Sequence, residues 1–321
     1  MKRFRPYRIS QEIRDKYADV RIISSDFIYP YFVTEGENIR AEIASMEGVY
    51  RLSVDRLLDD VGELPPLGID KILLFGVIPD NEKDESGSRG TSPDSIICRA
   101  VKAIKRQFPA ITVFTDICLC EYTSHGHCGL LHHQDVNNDA TLPLLAEMAY
   151  QHAVAGADFV APSAMMDGQV EAIRNRLDKA GLSARILAYS AKYASSFYGP
   201  FRDAAGSTPS FGNRKTYQMD YRTHDQGLEE IGADIEEGAD WIMVKPALAY
   251  LDMIHRASVR FPDYPLVAYQ VSGEYSMLKN GAKQGFFNEQ QIFLESLTAI
   301  KRAGANHIIS YYAKDFLTHF H

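Results

Sequence analysis

The sequence predicts an α/β fold, a single (β/α)8 TIM barrel with an extended N-terminal arm. Three observations carry this expectation. Eight short β-rich runs are mostly separated by helical stretches. A Gly-Ala-Asp or Gly-Ala-Asn junction recurs at 156–158, 238–240 and 304–306, each time where a helix gives way to a strand. Nearly every later strand run also ends in a reactive or hydrogen-bonding side chain, and barrels of this kind carry their active sites at the C-terminal strand ends.

Residues 1–25 are charged and lack the strand–helix rhythm, so they read as an arm that is partly helical over 10–17. Residues 26–321 form the barrel domain, with no linker to divide it. Strands are expected over 27–33, 71–77, 112–119, 158–163, 185–192, 240–245, 266–272 and 307–312. Helices are expected over 94–107, 141–155, 169–180, 227–237, 250–260 and 289–303. The repeated glycine suits the left-handed position that stops a helix, after which an apolar run enters the barrel wall. A chain of 321 residues, 45% hydrophobic, accommodates a barrel of about 250 residues plus an extension.

Composition excludes several classes. The net charge is −8, from 34 basic and 42 acidic residues, and no basic stripe breaks the body of the chain. That argues against nucleic acid as a partner. No apolar run reaches the roughly 18 residues needed to span a membrane. The start, Met1-Lys2-Arg3-Phe4-Arg5-Pro6, has no apolar signal core, so a cytoplasmic location is expected.

Of the four cysteines, Cys98 sits in an apolar helical run and reads as a core thiol. Cys118, Cys120 and Cys128 cluster within eleven residues, which favours metal binding over disulfides. Cys118 and Cys120 are two apart near a strand end, so their side chains are expected to share a face. Gly126 lets the loop turn back and bring Cys128 toward them. Three thiolates suit zinc and leave a fourth position for water or substrate, the catalytic rather than the closed structural pattern. Three reduced cysteines without a metal are the alternative. His125 and His127 read as hydrogen-bonding loop groups outside the metal set, and His132, His133, His319 and His321 as solvated.

Two lysines close apolar strands, Lys192 after Arg185-Ile186-Leu187-Ala188-Tyr189-Ser190-Ala191 and Lys245 after Asp240-Trp241-Ile242-Met243-Val244. A lysine there is costly to bury unless it has a task. If the two converge, each ammonium makes the other harder to charge, and burial adds to this; both effects free an amine to attack a carbonyl. Either lysine alone could instead lie at a surface rim. The long stretch 194–215 is rich in Gly, Ser and Pro and reads as a lid carrying Arg202 and Arg214, suited to gripping a carboxylate. Ser272, beside Gly273, and Tyr311 offer hydroxyls for a second anion pocket.

These motifs closely resemble the porphobilinogen synthase (5-aminolevulinate dehydratase) family, in its zinc-type bacterial form. The resemblance covers nearly the whole chain. It rests on Met46-Glu47-Gly48-Val49-Tyr50-Arg51, the 116–129 cysteine loop, Ser190-Ala191-Lys192-Tyr193-Ala194-Ser195, Tyr198-Gly199-Pro200-Phe201-Arg202, Val244-Lys245-Pro246 and Val271-Ser272-Gly273-Glu274-Tyr275. It implies condensation of two 5-aminolevulinate molecules to porphobilinogen, with loss of two waters, in tetrapyrrole (heme) synthesis. By position, Lys245 would form the Schiff base with the substrate that becomes the propionate side, and Lys192 would bind the other. Ser272, Tyr311 and Tyr269 would hold the first carboxylate; Arg202, Arg214 and Gln218 the second. Cys118, Cys120 and Cys128 would carry zinc, with Asp116 as a proton-transfer or orienting group. Glu230 matches the position of an allosteric magnesium ligand, although Asp220-Tyr221-Arg222-Thr223-His224-Asp225-Gln226 departs from the Pro-Ala-Asn-Arg-Arg-Glu pattern expected before it. Ala164 stands where an aspartate is often found, which implies altered contacts to the second substrate. Thr216 stands where some animal members have a further cysteine, so a second zinc site is not expected there. The family's arm embraces a neighbouring barrel in a homo-octamer, and residues 1–25 fit that arm.

Two other classes compete. A Schiff-base aldolase on the same barrel needs one lysine and commonly handles phosphorylated sugars. The second lysine, the three cysteines and the lack of an obvious phosphate loop argue against it. A non-catalytic barrel would not need Lys245 or the cysteines, and all are present.

Overall fold

The computed structural model describes residues 1–320; His321, the last residue of the expected barrel domain, lies outside them. Eight parallel strands form one continuous wall: β1 (Phe27–Thr34), β2 (Lys71–Val77), β3 (Thr112–Ile117), β4 (Phe159–Pro162), β5 (Arg185–Lys192), β6 (Trp241–Lys245), β7 (Leu266–Gln270) and β8 (His307–Ser310). Each pairs with the next, and β8 returns to β1 through Phe27↔Ile308 and Ile28↔Ile309, which closes the barrel. Strands buried on both faces must be apolar nearly throughout, and Phe27 to Val33 and Ile72 to Val77 are buried without interruption.

All eight expected strands are present, with several ends trimmed. β3 stops at Ile117, β7 at Gln270 and β8 at Ser310. Cys118, Ser272 and Tyr311 therefore sit just beyond their strands, on the loops where barrels of this type hold functional groups. The expected helices appear as Ile96–Gln107, Asn138–Ala155, Gln169–Lys179, Gln226–Glu236, Leu251–Arg260 and Glu289–Ala303. Some of their starts are set by side-chain caps: Ser95 accepts from Cys98 N–H at 3.2 Å, and Asn137 from Ala140 N–H at 3.1 Å. The repeated junction glycines, Gly156, Gly238 and Gly304, have φ of 108°, 105° and 124°, the left-handed region that ends a helix.

Several elements were not legible in the sequence, helices Val54–Val61 and Ala313–Phe320 among them, and three others bear on the loops at the strand ends. A small antiparallel pair, Arg40–Glu42 with Tyr50–Leu52, extends from β1. A short helix, Gly199–Ala204, forms inside the expected lid. A full helix, Ser272–Lys283, begins where β7 was expected to continue. The arm contains the helix Gln11–Lys16, close to its expected place, with Ser10 accepting from Ile13 N–H. Its Phe4, Tyr7, Ile9, Tyr17 and Ile23 are exposed.

The first turn of helix Ser272–Lys283 fastens several strand-end loops together. Ser272 Oγ accepts from Phe201 N–H at 2.9 Å and donates to Phe197 O at 3.3 Å, which ties it to the lid helix. Tyr275 Oη donates to Glu47 O at 2.7 Å, and Ser276 Oγ to Ser45 O at 2.8 Å, which ties it to the loop after β1. From that loop, Arg51 Nε donates to Ala204 O at 2.8 Å, at the C-terminal end of the lid helix, where a cation is favoured. Gly273 allows the close approach. A Cβ there would stand 2.4 Å from Phe197 O and 2.7 Å from Phe197 Cα, and backbone cannot step aside as a flexible side chain can. Gly273→Ala should thus cost about 1–3 kcal/mol of stability and speed limited proteolysis within 205–215, read by urea unfolding and by mapping of the cut sites. Wild-type stability together with wild-type proteolysis would contradict this packing.

Candidate active site

The structure brings the two lysines together. Lys192 ends β5 and Lys245 ends β6, and the two are direct partners in the strand register. Both side chains are buried, at 5% exposure each. Tyr189, three residues before Lys192 at an irregularity in the β5–β6 register, lies beneath both amines: its ring centre is 4.9 Å from Lys245 Nζ and 5.6 Å from Lys192 Nζ. Lys245 Nζ also lies 4.1 Å from the ring centre of Tyr269 and 5.2 Å from that of Phe201. Lys192 donates to the backbone oxygen of Ser163, at the end of β4. Burial, and then the neighbouring Lys192 cation, bring the Lys245 pKa down to about 7. A large fraction of this amine is therefore uncharged, and nucleophilic, near neutral pH.

The three clustered cysteines also converge. Their sulfurs all lie within 4.8 Å of one another, with Cys118 and Cys120 3.3 Å apart. They do so by a different route from the shared strand face expected. β3 ends before Cys118, and a turn with Tyr122 N–H and Thr123 N–H both donating to Leu119 O folds the pair together. Gly126, at φ 71°, reverses the loop as expected. Burial pushes the Cys118 thiol up. Hydrogen bonds from Cys118 and Cys120 pull Cys128 well below the usual thiol range, and the nearby Arg214 and Lys192 cations favour the same anion. A cluster of buried sulfurs carrying anionic character could hold a metal ion. His125 and His127 lie outside the set. His127 pairs with Tyr217 Oη and Phe211 O, both at 3.1 Å, and His125 with Glu85 O at 3.2 Å.

Between lysines and cysteines stands Asp116, 7% exposed, accepting from Ser163 Oγ at 3.1 Å. Burial holds its carboxyl above the usual range, while the two lysines act the other way. Glu121, inconspicuous in the sequence, joins these groups. It is 2% exposed, accepts from Cys120 Sγ at 3.3 Å and forms a second ligand-like cluster with Asp116 and Cys118. Burial, then Asp116, push its carboxyl up to about 8. Its one sequence signal is position, directly after Cys120.

The remaining expected residues fall into two groups. Tyr269 and Tyr311 are buried beside Lys245 and joined Oη to Oη at 2.9 Å, with Ser272 on the adjoining helix end. Arg202, Arg214 and Gln218 line one cavity under the lid. Arg202 Nε, Arg214 Nε and both amide atoms of Gln218 are buried without a partner among the described residues. Arg214 Nη2 donates to Gly126 O at 2.9 Å and Ser207 O at 2.6 Å, so it spans cysteine loop and lid. Glu230 belongs to neither group, although Gln218 also lines the cleft it faces. It is half-buried on helix Gln226–Glu236, accepts from Gln226 at 2.8 Å and lines a cleft with Asp135, Asp167 and Asp220. Ala164 is fully buried, and Thr216 donates to Asp135 at 2.9 Å.

Known proteins share this arrangement's sequence and fold. A family model described as delta-aminolevulinic acid dehydratase matches residues 1–319. The delta-aminolevulinic acid dehydratase of Bacillus subtilis is 50% identical over 314 residues, spanning 98% of this chain and 96% of that one. That of Synechococcus elongatus is 49% identical over 316 residues, spanning 97% of this chain and 96% of its own length. A solved structure from Toxoplasma gondii, of delta-aminolevulinic acid dehydratase (porphobilinogen synthase) in complex with the reaction product porphobilinogen, superposes with a TM-score of 0.96 at 42% identity. It covers 99% of this chain and 91% of that one. The chain belongs to the delta-aminolevulinic acid dehydratase family.

Proposed function

We propose that the protein condenses two molecules of 5-aminolevulinate into porphobilinogen, with loss of two waters, as a lyase of tetrapyrrole synthesis. The observation that carries this reading is the buried pair Lys192 and Lys245, opposite one another in register, with one amine poised near neutrality. Imine formation at a ketone needs an uncharged amine, and a neighbouring cation helps to keep it so.

In this reading Lys245 Nζ attacks the C4 carbonyl of the first substrate, and the oxygen leaves as water. Tyr269, Tyr311 and Ser272 hold that substrate's carboxylate. Lys192 receives the second substrate, by imine or as a fixed charge. Arg202, Arg214 and Gln218, whose Nε atoms and amide group are buried without partners among the described residues, hold its carboxylate. The aromatic rings around the amines and the lid keep bulk water from the imine. Asp116 orients or moves a proton between the two substrates.

The cysteine trio fits zinc. Tetrahedral zinc–sulfur bonds of about 2.3 Å space the sulfurs about 3.8 Å apart, inside the 4.8 Å within which the three sulfurs lie. When bound, zinc would supply Lewis acidity beside the second substrate. Glu230, in its acidic cleft, is the proposed ligand of an allosteric magnesium. The exposed aromatic and aliphatic side chains of residues 1–25 supply an apolar surface for packing against another subunit, in keeping with an octamer. Among the described residues no helix is long and apolar enough to cross a membrane; the chain is proposed to act in the cytoplasm.

Three outcomes follow. Borohydride reduction with 5-aminolevulinate should leave an adduct on Lys245, located by peptide mass spectrometry. Lys245→Ala should abolish both adduct and condensation while keeping the fold, and measurable turnover in that variant would refute the assignment. Cyanoborohydride trapping should quicken as pH rises through about 7, because the Lys245 amine is protonated below that value and free above it. Lys192→Ala removes the adjacent cation, so the protonated form of Lys245 gains and the midpoint should move up; a midpoint that stays or falls contradicts the coupling. Cys120→Ala should lower the zinc retained per subunit after dialysis, with activity falling alongside. Unchanged zinc content and rate would remove the metal from the chemistry.

A further inference from the structure

We propose that Glu274 is a positioning residue that fixes the distance between the reactive amine of Lys245 and the carboxylate pocket at Ser272. The inference rests on the proposed imine at Lys245.

Glu274 is fully buried and lies in the first turn of helix Ser272–Lys283. Neither lysine is its partner. Its carboxylate instead accepts backbone N–H groups from two separate strand-end loops. Oε1 accepts from Leu248 N–H at 2.6 Å. Oε2 accepts from Val271 N–H at 2.7 Å and, more loosely, from Ala247 N–H at 3.4 Å. Ala247 and Leu248 follow Lys245 through Pro246; Val271 immediately precedes Ser272. One buried group therefore clamps the loop that carries the amine to the loop that carries the carboxylate-binding hydroxyl.

The opposite side of Lys245 is already held. Its carbonyl oxygen accepts from Tyr193 N–H at 2.9 Å and from Tyr198 Oη at 3.2 Å. Glu274 supplies the matching restraint on the far side of Pro246. The first substrate presents a ketone and a carboxylate at a fixed spacing along a short carbon chain. A site that binds both ends at once gains from holding its own two groups at that spacing. A ketone with no carboxylate gains nothing from it.

Glutamine cannot replace this carboxylate. It offers one acceptor oxygen, and its amide would face either Leu248 N–H or the Val271 and Ala247 pair, donor against donor. Glu274→Gln leaves one loop unheld, whereas a role in folding alone would treat all ketones alike.

The experiment compares trapping of 4-oxopentanoate, which keeps the substrate's ketone-to-carboxylate spacing, with trapping of butanone, which has only the ketone. In both cases Lys245 Nζ adds to the ketone carbon, water leaves, and borohydride delivers hydride to the imine carbon while nitrogen keeps a proton. The ratio of the two rates, with the adduct mapped to Lys245, is the readout. In Glu274→Gln the ratio should fall about tenfold, as expected for a buried donor left without its acceptor, while butanone trapping changes little. An unchanged ratio, or an equal loss for both ketones, overturns the inference. If Glu274→Gln does not fold, Glu274→Asp carries the same readout, since its shorter side chain keeps both oxygens but cannot reach both loops; an unchanged ratio there overturns it equally. Absence of any adduct on Lys245 in the unaltered protein would instead sink the imine reading.

Discussion

The constraint on which the site depends is the register between β5 and β6. It places Lys192 opposite Lys245 at the barrel mouth, both under cover. Two cations held side by side away from water repel one another, and each would lose hydration worth several kcal/mol if charged (roughly, per ion). The protein answers in two ways. One amine gives up much of its charge, with Lys245 titrating near 7. Acidic and sulfur groups also gather within the same end of the barrel: Asp116, Glu121 and the three cysteines. A slip of either strand by one residue would turn one lysine to the opposite face and dissolve the arrangement.

The electrostatics run in both directions. Lys192 and Lys245 favour the ionised form of Asp116 against burial, and Asp116 in turn favours the charged form of Lys245. The sulfur cluster draws on Lys192 and Arg214 for the anionic form of Cys128. Amine, carboxyl and thiol therefore titrate as one set, and the charge on any member depends on the others.

Much of this was legible in the chain, for stated reasons. Strands buried on both faces must be continuously apolar, so all eight stood out, and a lysine or cysteine at the end of such a run was conspicuous. The convergence of Cys118, Cys120 and Cys128 was also anticipated, although a turn, not the pleat, joins the first two. What escaped was whatever depends on backbone partners. Glu274 binds three N–H groups, and no residue type marks which amides will need an acceptor. Helix Ser272–Lys283 was hidden because Ser272 and Gly273 resemble a loop until Phe197 and Phe201 pack against them. Glu121 carries no periodicity of its own. Arg214 was expected to face a carboxylate, yet one of its terminal nitrogens already serves two carbonyls.

That double use of Arg214 has a thermodynamic meaning. One guanidinium nitrogen joins the cysteine loop at Gly126 to the lid at Ser207, and Ser210 N–H reaches His125 O at 3.0 Å beside it. Two segments bridged in this way do not surrender their conformational freedom independently. Whatever stiffens one has already met part of the entropy loss of the other. Order at the sulfur cluster and order of the lid therefore reinforce one another, without any change in the barrel that carries them both.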